Sequence, residues 1–165
     1  MMTRTSKLLL LCAVALFYTL VVFNNLTDFD SNFQFVRHVL MMDSTFPGNR
    51  GMWRAIDSPT IHLVFYLSII TWEVVTMALL WWGASHLLRA LRQPAAQFNT
   101  AKRIPILALT VSLLMWSVAF LSVGAEWFLM WQSHSWNGQE PAFRNFAMVT
   151  LTLLFLIQPE TDSQP

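Results

Sequence analysis

Four stretches of the chain are almost wholly apolar, and polar segments of unequal length separate them. The first runs from Leu8 to Phe23, behind Arg4 and Lys7. The second, Ile61 to about Leu88, follows Pro59 and ends at Trp81, Trp82, His86, Arg89 and Arg92. The third runs from Ile104 to Phe128, with Trp127 and Trp131 at its end, and the fourth from about Ala142 to Ile157. About 20 apolar residues in a helix cross the hydrocarbon core of a bilayer. Residues 7–26, 60–88, 104–128 and 142–158 are therefore the expected spans. Lys7 is expected to snorkel and lengthen the short first one.

The segments between them carry their own signals. Residues 24–59 form a long polar stretch in which Phe33, Val36, Val39 and Leu40 recur at helical spacing. That pattern predicts a short amphipathic helix lying on the membrane. Pro47, Gly48 and Gly51 then break the chain. Gln93 to Arg103 reads as a polar linker, and Asn137-Gly138 as a tight turn. Pro141 suits the first turn of the last helix. The expected fold is an all-α membrane protein: a four-helix transmembrane bundle, one domain over residues 1–165. An outward-facing segment with an interfacial helix joins its first two spans.

Composition agrees. Of 165 residues, 55% are hydrophobic and 12% charged, against about 25% charged in soluble domains. A soluble fold would lack polar surface. The basic start resembles a signal peptide, but Ala13-Val14-Ala15, the small-x-small candidate for cleavage, lies inside the apolar run. The bulky Leu11 before Cys12 argues against a lipoprotein signal. An uncleaved span is expected. Asn25-Leu26-Thr27 fits the glycosylation pattern but abuts the membrane and is read as chance. A net charge of +1 implies no nucleic-acid partner, and Cys12, the single cysteine, cannot form an intramolecular disulfide.

Basic residues set the expected orientation. One side holds Arg4, Lys7, Arg89, Arg92, Lys102 and Arg103, close to the span ends; the other holds Arg37, Arg50, Arg54 and Arg144. The positive-inside rule places the first side, with both termini, in the cytoplasm.

Several stretches resemble a known family. They are Asn32-Phe33-Gln34-Phe35-Val36-Arg37-His38-Val39-Leu40-Met41-Met42-Asp43, Trp53-Arg54-Ala55-Ile56, and Glu73 within the second span. Further on come Gly124 to Ser133, Trp136-Asn137-Gly138-Gln139 and Ala142-Phe143-Arg144. Together they are similar to the bacterial predicted small integral membrane proteins, domain of unknown function 2165. The resemblance covers nearly the whole chain. It implies a bacterial inner-membrane location and a single domain, and brings no established activity.

Candidate chemistry begins with Glu73. It lies about 20 Å from the outer end of the second span, and an ionisable residue within a membrane is a functional candidate by default. His62, Tyr66 and Glu73 fall near one helical stripe. That stripe is read as a ligand or proton site. The competing reading is a structural carboxyl, hydrogen-bonded to Tyr18, Ser117 or Thr150. Glu126 is read as an interfacial ion-pair partner of Arg144 or Arg54. Its depth differs too much from that of Glu73 for a two-carboxylate acid–base site. His38, His62 and His134, with Met41, Met42 and Met130 nearby, are weak candidates for copper or haem. No metal-ligand spacing supports them, so no metal is assigned and the cofactor is unknown.

No phosphate-binding glycine loop, nucleophile elbow or His-Glu-x-x-His is present. Three classes follow. A non-catalytic accessory or assembly protein, docking on other membrane proteins or on a second copy, ranks first. A site for a quinone, lipid or haem between the helices comes next, and then a small proton-coupled transporter using Glu73. An enzyme ranks last.

Overall fold

The computed structural model describes residues 1–162, and within them every regular element is helical. Helix α1 (Met2–Thr27) turns at Asp28 into α2 (Phe29–Met41). A single turn of 3-10 helix at Arg50–Arg54 leads to α3 (Pro59–Ala90), which has Pro59 at its first position. The short α4 (Ala95–Ala101) precedes α5 (Arg103–Leu114). The chain continues from α5 without a break as a π-helical stretch, Met115–Trp127, and α6 (Gln139–Ile157) closes the bundle.

Four helical stretches are long and apolar enough to cross a membrane: Met2–Thr27, Pro59–Ala90, Ala95–Trp127 and Gln139–Ile157. All four spans expected from the hydropathy pattern are present. Their outward faces carry exposed Leu16, Leu20, Val64, Leu114 and Leu151. In a bilayer such residues meet lipid tails, while the backbone hydrogen bonds stay inside each helix.

Without a hydrophobic drive between helices in lipid, close packing has to hold the spans together. Ala15, Ala84 and Ala108 are buried at the contacts. Gly83 matters most, because a Cβ there would lie 2.9 Å from the backbone nitrogen and Cδ of Pro105. Only glycine lets α3 and α5 cross at that distance. Polar side chains add fixed points. Trp116 Nε1 donates to the Tyr18 hydroxyl at 2.9 Å, and Tyr18 shares a 2.6 Å hydrogen bond with Ser112. Trp72 Nε1 donates to the Val111 carbonyl at 3.1 Å.

The π-helical stretch shows its wider turns in a bond from the Phe128 amide to the Val123 carbonyl, five residues back. Leu129, at φ 53°, reverses the chain, and the Met130 thioether comes to rest beside Gly124.

Three expectations need correction. Helix α2 does not lie bare on a membrane surface. Its apolar side, Val36 and Leu40, packs with Tyr66, Ile70 and Phe128 of the bundle, so protein covers it in place of lipid. Lys7 does not snorkel. Its side chain is fully buried, and Nζ donates to the Gln158 carbonyl and to Glu160 Oε1, each at 2.6 Å. Residues 93–103 are not a plain polar linker, because α4 inserts a fully buried Phe98 into the core.

Candidate functional site

Two clusters of buried polar groups lie at opposite ends of the bundle. The first is at the end carrying both termini. The carbonyl of Gln158, just past the end of α6, accepts hydrogen bonds from Lys7 Nζ and Lys102 Nζ, each at 2.6 Å. Cations at a helix C-terminus neutralise its unpaired carbonyls. Glu160 pairs with Lys7 at 2.6 Å and Arg4 at 3.7 Å, and Asp162 with Arg4 at 3.5 Å. Asn99 of α4 receives the Glu160 amide and donates to its carbonyl. The cluster thus ties the segment after α6 to α1 and α4. Each cation in it has an acceptor, a carboxylate for Arg4 and Lys7 and the Gln158 carbonyl for Lys102.

The second cluster surrounds Glu73. The stripe expected on α3 exists: His62, Tyr66 and Glu73 are each 3% exposed or less. They do not act as one group. The His62 Nε2 atom bonds to the Ile56 carbonyl at 2.8 Å and secures the segment before α3. Glu73 Oε2 accepts from Asn25 Nδ2 at 2.6 Å. The Tyr66 hydroxyl donates towards Asn25, with its carbonyl at 3.2 Å and Oδ1 at 3.3 Å. Asn25 therefore links the two α3 side chains to α1. The three structural partners expected for Glu73 lie elsewhere: Tyr18 bonds Ser112 and Trp116, while Ser117 and Thr150 cap carbonyls of their own helices.

Asn25 also fixes the level of Glu73. It stands two residues before the end of α1, about 3 Å along the axis. Glu73 is thus level with the end of α1, although it stands well inside α3, where its neighbour Trp72 reaches the Val111 carbonyl of α5. Above Glu73 lies a cavity of about 250 Å³. Glu73, Tyr66 and Asn25 form the polar part of its wall, and Phe35, Trp116 and Phe120 the aromatic part. Asn32 of α2 and Asn145 of α6 add two amides. Glu73 Oε1 and the Asn145 amide have no hydrogen-bond partner among the described residues. Gly138 lines the same cavity, and a Cβ there would meet the Phe35 ring at 2.7 Å. The Asn137-Gly138 turn therefore serves close packing. Asn137 Oδ1 accepts from the Gln139 amide at the start of α6. A cavity with mainly apolar walls and a few convergent polar groups is the usual form of a small-molecule site.

The remaining candidates lie outside this cavity. Arg54 meets Glu126 through the Glu126 backbone carbonyl, at 3.5 Å, and its guanidinium lies over the Trp53 and Trp127 rings. Arg144 pairs with Glu140 at 4.0 Å on an exposed face. The structure does not bring the Glu126 carboxylate into a salt bridge with either arginine. His38 Nδ1 pairs with Asp43 at 2.7 Å, and its ring stacks on Trp136. His134 is exposed. Among the described residues no three His, Cys, Asp or Glu side chains come close enough to hold a metal ion.

Asn25 is the residue of this cluster that the hydropathy reading misses, because the first apolar run fades at Phe23. A signal was present. Leu11, Ala15, Tyr18, Val22 and Asn25 recur every three or four residues and are all buried, which puts Asn25 on the core-facing stripe of α1.

No curated protein and no solved structure matches the chain. A family described as predicted small integral membrane protein (DUF2165) matches residues 3–159. With four membrane-spanning helices and a match over nearly its whole length, the chain belongs to that family of small integral membrane proteins of unknown function.

Proposed function

We propose that this protein binds a neutral amphiphile with a flat, carbonyl-bearing head, an isoprenoid quinone being the simplest example. The observation that carries this reading is the cavity of about 250 Å³ in which Glu73, Tyr66 and Asn25 converge against aromatic walls. Buried aromatics offer stacking faces to a planar head. The Asn25, Asn32 and Asn145 amides are donors for its carbonyls, and Glu73 Oε1 has no protein partner among the described residues. An apolar tail would leave along the lipid-facing grooves between helices.

The site is read as one-sided. Below Glu73 the core is closed by Tyr18, Ser112 and Trp116, and further on by the cluster around Lys7. This arrangement supports binding over a proton path across the bundle. On this reading the protein sits in a bacterial inner membrane with both termini cytoplasmic, which Arg89, Arg92 and Arg103 at that end support. The cavity then opens towards the outer leaflet.

A second reading keeps the accessory role, and one observation favours it. Trp53, Trp127 and Trp131 are 75%, 48% and 42% exposed at the α2 end, with Arg54 among them. Trp and Arg are enriched at protein interfaces.

One experiment separates the two. The full chain, purified in mild detergent, is analysed by mass spectrometry for co-purifying proteins and, after solvent extraction, for neutral amphiphiles. A lone chain carrying such a molecule, lost in Glu73→Leu, supports the site. A stoichiometric protein partner with an empty extract supports the accessory role and sinks the binding proposal.

A further inference from the structure

At the termini end, away from the Glu73 cavity, α3, α4 and α5 enclose an open groove of about 570 Å³. His86, Arg89, Gln93, Gln97, Thr100 and Arg103 line it, and no carboxylate does. Three nearby cations are already engaged, Arg4 and Lys7 by Glu160 and Asp162 and Lys102 by the Gln158 carbonyl, while Arg92 is exposed and does not line the groove. Arg89 and Arg103 make no salt bridge or side-chain hydrogen bond among the described residues. The carbonyls at the end of α3 would repel an anion, but Arg4 covers those of Leu91 and Gln93. Two guanidinium groups suit the oxygens of a phosphate. Gln93, Gln97 and Thr100 suit hydroxyl groups attached to it.

We infer that this groove binds the phosphate headgroup of an anionic phospholipid, with Arg89 and Arg103 as its cationic contacts. A lipid is favoured over free phosphate by what flanks the groove. Leu88, beside Arg89, is 61% exposed, and Leu107, one turn beyond Arg103, is 49% exposed. Acyl chains can lie along these faces while the headgroup sits among the arginines. Basic pockets between spans at a membrane surface are suited to such headgroups. The inference stands apart from the proposal for Glu73 and shares none of its residues.

The test is native mass spectrometry of the full chain in mild detergent, titrated with phosphatidylglycerol or phosphatidylcholine. Phosphatidylglycerol should be retained in preference. Arg89→Gln with Arg103→Gln should weaken that retention about thirtyfold at low salt. The melting temperature should not change, since neither side chain contributes a hydrogen bond. Arg89→Lys with Arg103→Lys should recover part of the affinity, because the charge returns without the planar fork. Arg37→Gln with Arg144→Gln, at the other end, should bind as the native chain does. Equal retention by native and Arg89/Arg103 variants would overturn the inference, as would an equal loss in the Arg37/Arg144 variant. Displacement of the lipid by millimolar inorganic phosphate would overturn the lipid assignment in favour of the free ion.

Discussion

The two ends of this bundle bury ionisable groups for different ends. Around Gln158, three cations face two carboxylates and a helix terminus, and each cation has an acceptor: a carboxylate for Arg4 and Lys7, the Gln158 carbonyl for Lys102. Around Glu73, one carboxyl has an amide on one oxygen, no partner among the described residues on the other, and a cavity beside it. Taking a charge out of water is costly unless pairing and hydrogen bonds offset it. The first cluster offsets that cost within itself and so serves to hold the chain. The second leaves part of it open, the condition in which a ligand can add to the interaction.

Mutations should separate the ends in order of effect. Glu160→Ala should be the most damaging. It removes the carboxylate that pairs with Lys7, whose side chain is fully buried, and leaves α1 held to the segment after α6 only by Lys7 on the Gln158 carbonyl and Arg4 on Asp162. Breaking a buried pair costs about 3 kcal/mol or more, and reversible unfolding in mixed micelles measures it. A loss below about 1 kcal/mol would mean that the cluster does not hold the fold.

Glu73→Leu comes second. It leaves Asn25 Nδ2 without its acceptor in a buried place, which costs about 2 kcal/mol. Glu73→Gln keeps an acceptor at the same position and should stay within about 1 kcal/mol of the native chain. The comparison is sharpest here, because Gln should preserve folding yet alter ligand affinity. If Gln and Leu both leave stability and binding unchanged, the second cluster has no special role.

The smallest effect is expected at the surface. Arg144 faces Glu140 on an exposed helix face, and Glu126 meets Arg54 only through its carbonyl. A double-mutant cycle of Glu126→Ala and Arg144→Ala should show a coupling below about 0.5 kcal/mol. A larger value would show that the carboxylate and guanidinium pair in the membrane.

How much of this was legible follows from the range of each signal. Spans announce themselves by composition over some twenty residues, and all four were readable. A single carboxyl in a long apolar run is as visible, so Glu73 stood out together with Tyr66 and His62. Partners across helices are another matter. Nothing within α3 says that Asn25 meets Glu73, or that Tyr18 turns instead to Ser112 and Trp116. Those choices depend on helix rotation and level, which are set by contacts such as Gly83 on Pro105. The cluster around Lys7 was hidden for the same reason. Its members are scattered from residue 4 to residue 162, and each alone resembles an ordinary charge at a span end. Helix α2 was found from its periodicity. Its apolar face pointed equally well to lipid or to protein, and only the packed fold shows Val36 and Leu40 resting on Tyr66 and Ile70.

The proposed occupant of the cavity beside Glu73 is a flat, carbonyl-bearing amphiphile. The most direct test is an equilibrium titration of the purified full chain with a short-chain benzoquinone. The native protein is set against Ala142→Phe, which puts a ring into the cavity from α6 and keeps the Glu73 side chain. A cavity that holds such a molecule should give saturable one-to-one binding by the native chain, lost in Ala142→Phe and weakened in Glu73→Gln. No saturable binding by the native chain, or equal binding by the filled variant, would contradict it.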